Sequence, residues 1–223
     1  MQVIVNAAMS VDGKLSTSCR EQIRISGPED FDRVDRLRAE VDAVMIGIGT
    51  VIADDPRLLI DSQKRRTERI TAGKPANPTR IVVDSTARLA ESARILAGDA
   101  ETILLVGSNA PPERMSRLED RGARVIQTEG DRVNLRSGMD RLTEFGIDRV
   151  LVEGGGELLF SLFAAKLVDS MTVYIGSIII GGRDAPTLID GVGFTESIDF
   201  PNLDLVDINR LDAGVVLTYQ INT

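Results

Sequence analysis

Three short stretches of this chain combine chemically able residues with a pattern that would expose them. The first is Asn6-Ala7-Ala8-Met9-Ser10-Val11-Asp12-Gly13-Lys14, an apolar run that ends in small residues and then a polar turn. Small side chains let a flat ring approach a backbone closely, although an ordinary strand exit has the same look. The second runs from Gly47 to Arg57, with glycines between an apolar run and a short helix. Such a junction offers unpaired N–H groups that suit a phosphate. Thr50 is placed to cap that helix, and Asp54 and Asp55 read either as site carboxylates or as a solvated turn. The third is Val152-Glu153-Gly154-Gly155-Gly156-Glu157-Leu158, where consecutive glycines leave backbone amides open to an anion. It is not the Gly-x-Gly-x-x-Gly fingerprint. Glu153 closes a buried strand, where a carboxylate is costly unless it binds something; a structural ion pair is the alternative.

The residue inventory narrows the chemistry. With no histidine and one cysteine, Cys19, there is no Ser-His-Asp triad, no imidazole base and no internal disulfide. Proton transfer falls to carboxylates, lysine, tyrosine, hydroxyls or water. Zinc and haem have almost no ligands to draw on, so no metal is expected. The formal net charge of −8 argues against nucleic acid as a partner, though arginines and backbone amides can reverse the field locally for a small anion. No apolar run reaches the roughly 18 residues of a membrane helix. Gln2–Val5 are not preceded by a basic, then apolar, leader. A cytoplasmic protein without a membrane partner is the expectation.

The elements that must position these residues follow from periodicity. Val3–Met9, Ala43–Gly47, Arg80–Asp84, Thr102–Val106, Arg149–Val152 and Met171–Ile180 are rich in Val, Ile and Leu, with little polar alternation, as in strands buried on both faces. Pro28–Val41 places Phe31, Val34, Leu37 and Val41 at helical spacing, with Arg38 beside the stripe. Glu113–Arg121, Leu135–Phe145 and Glu157–Leu167 read as further helices. Leu205–Arg210 and Val215–Ile221 flank Asp212-Ala213-Gly214, a hairpin signal. The segment Asp61–Pro78, with Lys64, Arg65, Arg66 and Arg69, reads as a solvated loop or as a contact to a cofactor phosphate or partner subunit. One domain over residues 1–223 is expected. Its class is α/β, with a mainly parallel central sheet, helices on both faces and an antiparallel C-terminal edge.

The three stretches, in this order, resemble the archaeal 2,5-diamino-6-ribosylamino-4(3H)-pyrimidinone 5′-phosphate reductases of riboflavin biosynthesis. They also resemble the reductase domain of the bacterial bifunctional riboflavin deaminase-reductase and, more distantly, dihydrofolate reductase. The resemblance extends to Leu37-Arg38-Ala39, Arg80–Ser85 and Gly181–Leu188, and implies a dihydrofolate-reductase-like fold. It places a nicotinamide dinucleotide at Ala8, Thr50, Asp54, Ser85, Gly154, Gly155, Gly156 and Glu157. It places the substrate at Asn6, Arg38, Leu58 and Glu153, with Ser26 near the same pocket and Arg38 and Arg57 facing its phosphate. The implied reaction is hydride transfer to C1′ of a phosphorylated pyrimidine ribosylamine, which opens the ribose to a ribityl chain. The acid that ring opening needs is sought in the order Glu153, Asp54, Lys14. The Gly154-Gly155 bond aligns with a dihydrofolate reductase Gly-Gly that is usually cis. A homodimer is expected; Tyr174–Ile180 reads as part of its interface or as a core strand.

Three departures sharpen the expectation. The His-x-Glu and Pro-Cys-x-x-Cys pattern of the zinc deaminases is missing, so no deaminase activity is expected. The arginine that dihydrofolate reductases often use for the cofactor 2′-phosphate is replaced by Ile48, with Arg88 as a substitute, so NADPH is expected and NADH stays open. Where the bacterial reductases of the deaminated uracil compound typically carry lysine, this chain has Asn6. An asparagine oxygen can accept from an amino group, whereas an ammonium can only donate, so Asn6 favours the undeaminated pyrimidine. The alternatives are reduction of the uracil compound, a dihydrofolate reductase, and a nucleotide-binding module without catalysis.

Overall fold

The computed structural model describes residues 1–21 and 23–222. Along the chain the elements are β1 (Gln2–Ser10), α1 (Pro28–Glu40), β2 (Ala43–Gly47), α2 (Ile48–Asp54), α3 (Gln63–Thr71), β3 (Thr79–Val83), β4 (Thr102–Val106), α4 (Pro112–Asp120), β5 (Ala123–Gln127), α5 (Leu135–Glu144), β6 (Arg149–Val152), α6 (Gly156–Ala164), β7 (Ser170–Gly176), β8 (Asn202–Leu211) and β9 (Gly214–Asn222). They group into two compact units, Met1 with Asp35–Leu151 and Gln2–Val34 with Val152–Thr223.

In the first unit the strands lie in the order β5-β4-β3-β2-β6, and β2–β3, β3–β4 and β4–β5 pair in parallel. Every residue of β2 and β4 is buried. In the second the order is β1-β7-β9-β8, with β1 and β7 parallel and β9 antiparallel to both β7 and β8. The mostly parallel pairing and the antiparallel edge match the expected α/β class. Asp212, at φ 49, turns β8 into β9 as the hairpin signal predicts. Among the described residues no helix is long and apolar enough to cross a membrane.

Several expectations are corrected. Asp61–Pro78 is not a solvated loop: it holds α3, capped by the Ser62 side chain, which accepts from the Arg65 N–H. Arg69 is buried there and donates to the carbonyls of Ala39, Val41 and Pro75. Arg65 pairs with Asp35 at 2.7 Å and Arg66 donates to the Ile60 carbonyl. Arg69 and Arg66 satisfy backbone carbonyls at the end of α1 and in the flanking turns, and Arg65 neutralises Asp35, which is why a charged segment packs down. Phe31, read as part of the inward stripe of α1, is 52% exposed, while Asp30 and Asp35 are buried. Their carboxylates are held by Arg33 and Arg65, so charge pairing and not apolarity sets the inner face. The strand expected at Met171–Ile180 stops at Gly176, and Ile179 is 79% exposed. β5 escaped the sequence reading: its Arg124 and Gln127 face solvent and interrupt the apolar run.

Candidate functional site

In the first unit the buried strand β2 delivers the chain into α2 through Gly47, which has extended φ/ψ and no side-chain cap. Thr50 is therefore not the cap that the sequence suggested: helical geometry already begins at Ile48, which puts Thr50 half-buried in the first turn. Gly49 is exposed, and a Cβ added there would meet nothing within 4 Å. At the far end of α2, burial pushes the half-buried Asp54 carboxyl above its usual 3.8. Asp55, at φ 40, ends the helix, and its carboxylate accepts the Arg94 N–H at 2.8 Å. Leu58 is buried at φ 51. Arg38 donates to the Leu59 carbonyl at 2.9 Å, so it braces the segment that carries Leu58. Arg57 is exposed.

Ser85 follows β3, and its hydroxyl accepts the Val133 N–H at 3.1 Å. The turn after it is organised by Asp84, which is fully buried and accepts the Leu89 N–H at 2.8 Å. Burial pushes this carboxyl up, opposed by backbone N–H groups and by Arg88, whose Nε lies 3.7 Å away. Arg114 of α4 donates to the carbonyls of Ala87 and Leu89 and braces the turn from outside.

In the second unit Asn6 lies on β1 opposite Thr172, and the half-buried Ala8 lies opposite Tyr174. Asn6 is buried and its Oδ1 accepts from Arg33 Nη2 at 2.8 Å. Lys14 pairs with Thr187 and donates to the Ala185 carbonyl at 3.1 Å. Thr187 in turn donates to Asp190, and Asp190 packs against Gly156, where a Cβ would meet its Oδ2 at 2.8 Å. Lys14 and the glycine run are thereby joined through residues 185–190. Ser26 is half-buried, with its carbonyl taken by Arg24.

β6 ends at Val152, and the half-buried Glu153 leads into Gly154 at φ 136 and Gly155 at φ 96. Only glycine adopts such angles readily. The Gly154-Gly155 bond is not cis: the described residues contain no cis peptide, and the left-handed angles of the two glycines make the turn instead. α6 starts at Gly156, with Glu157 exposed in its first turn. A dinucleotide needs backbone that a flat or charged group can approach. Gly49 offers it: it is exposed, and beyond its chain neighbours and its own helix backbone nothing stands within 4 Å of where its Cβ would be, whereas Gly154 is buried. In the first unit Thr50 and Asp54 lie on α2, and Arg38 reaches the Leu58–Leu59 segment that follows it. The second gathers Asn6 with Arg33, and Lys14 with the glycine run. Arg33 and Asp190 escaped the sequence reading, because charged residues on a helix face or loop look solvated until a partner is seen.

Residues 1–217 match the family model of the RibD C-terminal domain. The chain is 44% identical to the 2,5-diamino-6-ribosylamino-4(3H)-pyrimidinone 5′-phosphate reductase of Archaeoglobus fulgidus, over 99% of this chain and 98% of that one. Among solved structures it is similar to a pyrimidine reductase-like protein from Corynebacterium diphtheriae, with TM-score 0.85 and 18% identity over 100% of this chain and 92% of that one. A dihydrofolate reductase from Enterococcus faecalis shares the fold more loosely, with TM-score 0.51 and 14% identity over 100% and 97% of the two chains.

Proposed function

The chain belongs to the RibD C-terminal domain family, and on that premise we propose that it reduces the ribosyl group of 2,5-diamino-6-ribosylamino-4(3H)-pyrimidinone 5′-phosphate to a ribityl group in riboflavin biosynthesis. The observation that carries this reading is the 44% identity to the archaeal reductase over 99% of the chain. The family match spans both compact units, which favours a single reductase domain.

When bound, the nicotinamide cofactor supplies the hydride. The protein's part is to orient, to exclude water and to move a proton. Thr50, Ser85, Ala8 and the run Gly154–Glu157 are read as holding the dinucleotide, with Arg88 beside the 2′-phosphate of NADPH. Asn6, Ser26, Arg38, Arg57 and Leu58 are read as holding the substrate. As C1′ gains hydride, the bond from C1′ to the ribose ring oxygen breaks, and that oxygen takes a proton. Glu153, Asp54 and Lys14 are the candidates to give it. Of these, burial favours the protonated form of Asp54. Lys14 already spends one donor on Ala185.

The protein is read as a cytoplasmic homodimer without a nucleic-acid partner. The outer edge strand β8 leaves Leu205, Val206 and Ile208 exposed, an edge suited to a second copy. Steady-state oxidation of NADPH and NADH with each pyrimidine and with dihydrofolate tests the reading. Turnover of the diaminopyrimidinone with NADPH is expected; turnover of dihydrofolate alone overturns it.

A further inference from the structure

We propose that Arg33 decides which pyrimidine the site accepts, by locking the side-chain amide of Asn6 in one orientation. The proposal rests on the reading of Asn6 as the residue that faces the pyrimidine. Arg33 donates to Asn6 Oδ1 at 2.8 Å. A guanidinium has donors and no acceptor, so the asparagine must turn its oxygen, not its NH2, toward it. Flipping the amide would set two donors against each other at a residue only 6% exposed, where an unmet donor is expensive.

Arg33 is itself held. Its Nε and Nη2 reach Asp30 Oδ1 at 2.8 and 2.7 Å, and the Asp30 side chain is 3% exposed. The N–H groups of Glu29 and Asp30 are bound at 3.2 and 3.0 Å by Asp212, from the turn between β8 and β9. The lock is therefore built into the start of α1 and the C-terminal hairpin.

An amide oxygen has two lone pairs. One is taken by Arg33; the proposal assigns the other, beside Nδ2, to the substrate, so that the amide presents an acceptor next to a donor. The undeaminated pyrimidine shows the complement at its 2-position: an exocyclic amino donor next to a ring-nitrogen acceptor. The deaminated compound shows a carbonyl next to a ring N–H, the reverse pattern. It would need the flipped amide, which Arg33 opposes. Arg33 is thus a positioning residue acting through Asn6. An Asn6→Lys substitution would also place an ammonium beside this guanidinium, so it tests charge repulsion as much as selectivity.

The test compares kcat/KM for the two pyrimidines in the wild type, in Arg33→Lys, and in the double variant Asp30→Asn/Arg33→Gln, which leaves no buried carboxylate unpaired. The wild type should prefer the diaminopyrimidinone. Arg33→Lys, still a donor-only head group, should keep that preference. The double variant should lose it by about tenfold or more, chiefly by gaining on the uracil compound, because Gln can meet either amide orientation. A double variant that binds NADPH normally and keeps the wild-type ratio, or an Arg33→Lys protein whose ratio collapses, overturns the lock. A wild type that reduces neither pyrimidine overturns the functional reading beneath it.

Discussion

At the end of β2 the chain enters α2 through ordinary backbone, Gly47 at φ −79, with Gly49 exposed just inside the helix. At the end of β6 it enters α6 through Gly154 at φ 136 and Gly155 at φ 96, with Gly156 pressed by Asp190. Both junctions read alike in sequence, as glycines between a buried strand and a helix. Yet at the second the protein itself demands glycine, by backbone angle at two positions and by a neighbouring side chain at the third. At Gly49 neither φ nor any neighbour requires it. A glycine that the fold demands says little about a ligand. One that the fold does not need is the better witness.

The largest effect that would sharpen this contrast comes from Glu153, the side chain carried into the second junction. Glu153→Gln keeps the shape and removes the charge. Turnover should fall by about 10²-fold or more if the carboxylate acts as acid or substrate anchor, with the melting temperature near that of the wild type. Near-normal turnover would shift the role to Asp54 or Lys14. Next in size is Gly154→Ala. A Cβ there meets nothing within 4 Å, so the cost is the backbone angle alone, roughly 1–3 kcal/mol of stability. Urea unfolding reads it directly. An alanine variant as stable as the wild type would show that the fold does not demand this glycine. Gly155→Val is a weaker probe of the cofactor, since at φ 96 lost binding would be mixed with strain.

A smaller effect belongs to Asp54, at the end of α2. Burial raises its carboxyl above 3.8, so the folded state holds this proton more tightly than the unfolded chain does. The ionised carboxylate therefore costs the folded state at neutral pH, and the cost fades as pH falls through the folded pKa. Wild type should gain stability relative to Asp54→Asn as the pH is lowered toward 3.8, read by thermal melts across that range. If Asp54 also gives the proton, kcat should fall as pH rises through the same pKa, and Asp54→Asn should flatten that limb. A stability difference that does not move with pH would show that burial does not raise the Asp54 carboxyl in the folded state.

How much of this was legible beforehand depends on the residue type. Ala43–Gly47, Thr102–Val106 and Arg149–Val152 were bounded as found, because strands buried on both faces are continuous apolar runs. The inner face of α1 was not, because it buries Asp30 and Asp35 on charged partners that apolar periodicity does not register: Arg33 one turn on, and Arg65 from α3. α3 was hidden for the same reason, its arginines being spent on carbonyls that no pattern announces. In the candidate site the glycine runs and Asn6 stood out, whereas Arg33 looked like one more charge on a solvated helix until Asn6 was found within 2.8 Å of it.

The smallest expected effect is the most discriminating. Gly49 sits in the first turn of α2, where alanine keeps part of the roughly 0.5–1 kcal/mol that a helix interior gives it over glycine. Its backbone angle suits any residue, and beyond its chain neighbours and its own helix backbone the added methyl would meet nothing within 4 Å. Judged by the protein alone, Gly49→Ala should therefore be neutral or stabilising, by roughly 0.5 kcal/mol in urea unfolding. If the backbone beside Gly49 is kept bare for a dinucleotide, the same methyl should weaken NADPH binding in a titration. Stability and binding would then move in opposite directions, the signature of a residue held for a ligand against the preference of its own helix. Destabilisation would instead reveal a structural demand like that at Gly154, and the contrast between the two junctions would be lost. A stabilised protein with unchanged NADPH affinity would break the contrast from the other side, leaving the first junction without a ligand to explain its glycine.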